Sequence, residues 1–242
     1  MRRLPAAARM TCWLNAWLAG RESADAVISA LSVGKRAVEF VGPEPGSRLA
    51  PGLFIGELRR WGVRQVSSSL PVPGDPLGLG GPPSFNADAI EATEGVVLHG
   101  AGLGLVPVRT STVVSWQVAT ASPPVYLPPV AEAARTLRAS LAAAADELAQ
   151  LDVASWRPEV ADDLEMLRRP GGRVESVPFA APECARLASD GMRAATIVEL
   201  ARADDTGPVS VWDAERRSAA LQPLHHAARA ALVAATSSYD GK

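Results

Sequence analysis

The sequence predicts an α+β or α/β protein, with a mixed, partly parallel sheet and helices in its N-terminal half and a helix-rich C-terminal half. Three observations carry this expectation. Up to about residue 125, short β-rich runs alternate with helical segments. "SPPVYLPPV", residues 122–130, then forms a proline-rich hinge. Beyond it, apolar residues recur at helical spacing almost to the end. The chain thus divides into a sheet region, 1–125, and a helical region, 126–242, expected to pack on the first as one compact unit. With 242 residues it is long enough to bury a core without disulfide or metal staples.

Residues 6–19 and 23–32 read as helices, the second capped by Ser23. "RAVEFVG", 36–42, reads as a strand ended by the turn "GPEPG". A short helix over 52–62 closes at Gly62, and 63–72 is the next strand. A helix over 85–94 and a strand over 95–100 follow. This alternation predicts parallel pairing of the strands 36–42, 63–72 and 95–100, with "LGLVPVR" and "TVVSWQVATA" as antiparallel additions. In the second half, Val130, Leu137, Ala144 and Leu151 stand seven apart, as do Ala134, Leu141 and Leu148. That stripe marks a helix face packed on the sheet, on a neighbouring helix, or on a helix of another molecule. Further helices are expected around 158–169, 181–203 and 213–236.

Apolar residues are 48% and charged residues 21%, the balance of a soluble globular protein. The net charge is −2, so no overall field draws the chain to nucleic acid or anionic lipid, and neither is expected as a partner. Two lysines stand against twenty-two arginines. Codon bias in a GC-rich genome accounts for that, or else a use of arginine for bidentate anion contacts. Cys12 and Cys184 belong to no metal or redox motif, which predicts a reduced, cytoplasmic protein. Arg9 and Asn15 interrupt the apolar run near the N-terminus, so it reads as an amphipathic helix rather than a signal peptide. No run of about 18 apolar residues predicts a membrane span.

Several chemistries are excluded by spacing. Around Lys35, Ser29 and Arg36 stand where a phosphate-binding loop needs Gly and Ser/Thr, and a strand follows rather than a helix. With only Lys35 and Lys242, a lysine Schiff base is not expected. "HGAGLGLVP", 99–107, has the look of a dinucleotide fingerprint, but Leu105 replaces the last glycine and a β-like run follows. It reads as a glycine-rich turn between strands. There is no nucleophile elbow and no zinc-ligand spacing, and the adjacent His225 and His226 point about 100° apart on a helix. No metal and no cofactor is expected. The six tryptophans are dispersed, and only Trp13 and Trp17 form an i,i+4 ridge, which would be a partner-binding patch if exposed.

The loop "LPVPGDPLGLGGPPSFN", residues 70–86, is the unusual stretch. Its prolines restrict it and its glycines let backbone approach closely. If the three strands are parallel neighbours, their C-terminal ends share one sheet edge, where open α/β sheets bind ligands. Glu44, Asp75 and His99 lie at those ends. His99 with Asp75 then makes a candidate acid–base pair, and Glu44, Asn86 and Arg109 are candidate ligand-binding residues. Against this, Asn86 or Ser84 suits a helix N-cap, and Asp75 between Gly74 and Pro76 suits a turn. Two functions follow. The first is a non-catalytic binding or protein-interaction protein, with a protein partner or a second copy docking on the Trp13–Trp17 ridge or on a helix of the second half. The second is an enzyme for a small polar or anionic substrate, using His99 and Asp75 at the sheet edge.

Overall fold

The structure, a computed structural model, describes residues 3–32, 37–42, 47–150, 175–203 and 211–239. Lys35, Glu44, Lys242 and the helix expected over 158–169 lie outside these residues.

The N-terminal half contains helices α1 (Ala6–Leu18), α2 (Ala24–Leu31), α3 (Pro51–Arg60) and α4 (Pro83–Ala92). Its strands are β1 (Ala37–Val41), β2 (Arg48–Leu49), β3 (Gln65–Ser69), β4 (Gly95–His99), β5 (Leu103–Arg109) and β6 (Val113–Thr120). Ser23 caps α2 as the sequence suggests, its hydroxyl accepting from the Ala26 N–H at 3.1 Å. Helix α4 differs: it starts at Pro83, earlier than Asn86 or Ser84 would cap, and its first turn carries no side-chain cap.

The six strands form one mixed sheet in the order β2-β1-β6-β5-β4-β3. Only the β1–β6 pairing is parallel. The expected parallel trio is therefore corrected: β3 runs antiparallel to β4, and β1 is separated from β4 by β6 and β5. The reason is that an intervening helix does not guarantee a crossover. The 70–94 connection goes out through the proline-glycine loop and returns along α4, so Gly95 starts β4 directly opposite Ser69, where β3 ended.

Helices α1, α2 and α3 cover one sheet face. Met10, Leu14 and Trp17 of α1 stand on one helical stripe, packed over Val66, Leu98 and Leu105. Phe40 and Phe54 stack at 3.6 Å beneath α3. Trp17 is 6% exposed and Arg59 lies 4.8 Å from its ring, so the Trp13–Trp17 ridge belongs to this core and is not a free patch. On the opposite face α4 covers β4 and β5, with Phe85 packed on Val97 and Val106. Gly104 makes that possible, since a Cβ there would strike the Phe85 ring. The glycines of 99–107 are thereby accounted for, with Gly100 and Gly102 in the β4–β5 turn.

Beyond the hinge come α5 (Val130–Gln150), α6 (Pro182–Ala203) and α7 (Val211–Ser237). Helix α7 is the centre of this half. Every residue from Ala227 to Ser237 is buried, so this stretch is packed on all sides rather than on one stripe, with Arg229, Thr236 and Ser237 as its buried polar residues. It packs along α5, α6, α1 and β3. Leu4, Ala8 and Leu70 join the same core cluster as α6 and α7. On α5, Leu137 and Ala144 are buried in that core, while Val130, Ala134 and Leu141 are half-buried. The segment before α6 follows α1: Glu175 accepts from the Leu4 N–H at 2.8 Å and Arg21 donates to the Phe179 carbonyl at 3.0 Å. Cys12 and Cys184 are free and buried, and burial together with nearby Cys184 pushes the Cys12 thiol up, which leaves it unreactive.

Strand β3 is an end strand of the sheet, yet several of the outward backbone groups along this edge are bonded. The Asn15 amide takes both groups of Val66, accepting from its N–H at 2.9 Å and donating to its carbonyl at 2.8 Å. The Ser237 hydroxyl accepts from the Ser68 N–H at 3.0 Å. Arg229 donates to the Leu70 carbonyl at 2.7 Å. Ser68 also shares a hydrogen bond with Thr236 at 2.8 Å. Replacing Asn15 by Leu strands both Val66 groups in the core. At about 1–3 kcal/mol for a buried unsatisfied group, the variant is expected to lose about 3 kcal/mol, read as a lower urea midpoint with an unchanged slope. An unchanged midpoint would show that the amide is dispensable.

Candidate functional site

The ladder places the proposed acid–base pair apart. Gln65 faces His99 and Ser69 faces Gly95, so His99 and the chain leaving β3 toward Asp75 lie at opposite ends of the pair, separated by about 13 Å of strand at 3.3 Å per residue. Each sequence-predicted residue instead has a local partner. His99 Nε2 shares a hydrogen bond with the Ser67 hydroxyl at 2.7 Å, and burial holds its imidazole below the usual pKa. Asn86 Oδ1 accepts from the Gly81 N–H at 3.1 Å and so folds the loop onto α4. Arg109 pairs with Glu94 at 2.5 Å, while the other Glu94 oxygen accepts from the Ala7 N–H of α1 at 2.6 Å. Glu44 lies outside the described residues.

Asp75 meets two residues that the sequence did not single out together. His226 Nδ1 donates to Asp75 Oδ2 at 2.6 Å, and Arg229 Nη2 donates to the same oxygen at 2.5 Å. Burial works to raise the Asp75 pKa, but the bonds from His226 and Arg229 prevail and hold it below the ordinary carboxylate range. Arg229 is 8% exposed and spans Asp75 and Leu70, so it ties both ends of the loop's first turn to α7. The rest of the loop is fixed as well. Val72 and Asp75 exchange backbone hydrogen bonds, Ser69 donates to the Leu77 carbonyl at 2.5 Å, and Ser122 donates to the Gly81 carbonyl at 2.8 Å. A Cβ on Gly80 would collide with the Pro123 carbonyl. These contacts make the loop a brace between β3, the hinge and α7. A spacing signal did exist, since His226 and Arg229 are i,i+3 on one helix face, but nothing local joined them to a residue 151 positions earlier.

A different feature has the dimensions of a binding site. Between α5 and α6, above Leu224 of α7, runs a groove of about 980 Å³. Its α5 wall extends from Val130 to Ala145 and its α6 wall from Glu183 to Ile197. The surface is mainly apolar, from residues such as Ala134, Leu141, Ala194 and Ile197. Arg138 and Arg186 are exposed on its rim, and Arg193 is paired with Asp190. A concave, mostly apolar surface with a few charged groups is the usual form of a binding site. Among the described residues no group of three or more His, Cys, Asp or Glu is placed to hold a metal ion, and no helix is long and apolar enough to cross a membrane.

Fold and groove together define an α+β protein with a mixed sheet and an apolar recess walled by helices of its second half. The chain belongs to the Rv1486c-like family: residues 7–133 match the Rv1486c-like protein N-terminal domain, and residues 131–233 match the C-terminal domain. It is 27% identical to Uncharacterized protein MT1533 and to Uncharacterized protein Rv1486c, from two strains of Mycobacterium tuberculosis, over 93% of this chain and 94% of theirs. No solved structure matches it. The groove lies within the C-terminal match, apart from Val130 at its boundary.

Two measurements follow from the polar contacts. With a folded-state pKa below the unfolded 6.5, His99 binds fewer protons folded than unfolded in the interval below 6.5. Its contribution is complete above pH 6.5 and is lost as pH falls toward the lowered value. Stability measured by urea melts from pH 7 to pH 5 is expected to fall less steeply for His99→Gln, and equal slopes would exclude this role. Arg229→Met removes the partner of the Leu70 carbonyl and one partner of Asp75. It is expected to lower stability by about 2–4 kcal/mol and to speed hydrogen exchange at the Val72 and Asp75 amides, whereas unchanged exchange would show the brace holds without it.

Proposed function

We propose that this protein is a non-catalytic, cytoplasmic binding protein that docks a protein partner in the groove between α5 and α6. The observation that supports it is the groove itself, whose half-buried Leu141 and Ile197 line an apolar channel that, among the described residues, is open along two helices. Helix-in-groove docking uses such a surface. Two free, buried thiols accord with a reducing compartment. The alternative, acid–base chemistry by His99 with Asp75, gains no support from geometry that engages His99 with Ser67 and Asp75 with His226 and Arg229.

A photo-crosslinking amino acid placed at Ala145, exposed on the groove, is expected to trap a discrete protein adduct in host cells. The same probe at Leu53, 64% exposed on α3, is expected to trap none. Absence of an adduct from Ala145 would remove the groove as a docking surface.

A further inference from the structure

We draw no further inference here: the strongest candidate, the apolar groove between α5 and α6, belongs to the site already described, and nothing in the structure shows what covers it.

Discussion

The outer edge of β3 is the constraint on which the rest of the structure depends. An end strand presents unpaired N–H and C=O groups, and a buried one cannot leave them to water. Here the partners are side chains of two helices: Asn15 of α1, and Arg229 and Ser237 of α7. Each bond works at one translation and rotation of its helix. Three backbone positions, Val66, Ser68 and Leu70, therefore fix where α1 and α7 lie against the sheet. The polar run Ser67-Ser68-Ser69, fully buried, becomes intelligible in the same terms, since Ser67 meets His99, Ser68 meets Thr236, and Ser69 meets the Leu77 carbonyl.

The groove inherits its position from that edge. Once α7 is set, α5 and α6 pack on its two sides, and Leu224 becomes the floor between them. The proline-glycine loop contributes from the other direction. Asp75, held by His226 and Arg229, locks the loop to the same helix that floors the groove. The oddest stretch of the sequence thus supports the recess without lining it.

The local grammar of the chain was largely legible. Helix and strand boundaries fall within a few residues of those that periodicity, Ser23 and the glycine turns imply, and the mixed sheet with a helical second half follows from them. Strand direction was not legible, because β3–loop–α4–β4 reads like a crossover until the register of Ser69 with Gly95 is known. The partners of Asp75 were hidden by distance along the chain. Asn15 illustrates another limit. In sequence it only interrupts an apolar run, whereas in space it is a buried amide with two assigned bonds. A polar residue on an otherwise apolar helix face signals that a specific partner exists, but not which one. The seven-residue stripe of α5 likewise announced a packed face without showing that Leu141 and Ala134 line the groove between α5 and α6.

The bond between Ser68 and Ser237 joins residues 169 positions apart. During synthesis β3 leaves the ribosome long before the helix that closes its edge. Until that helix arrives, the Ser68 N–H and the Leu70 carbonyl lack the partners it brings, and the strand keeps part of its rim open, the kind of template along which chains pair edge to edge. Closing it late is a long-range event and therefore a slow one. The last described helix thus completes the seal of this edge against self-assembly, and the interval before it forms is when a cell's chaperones have most reason to attend to this chain.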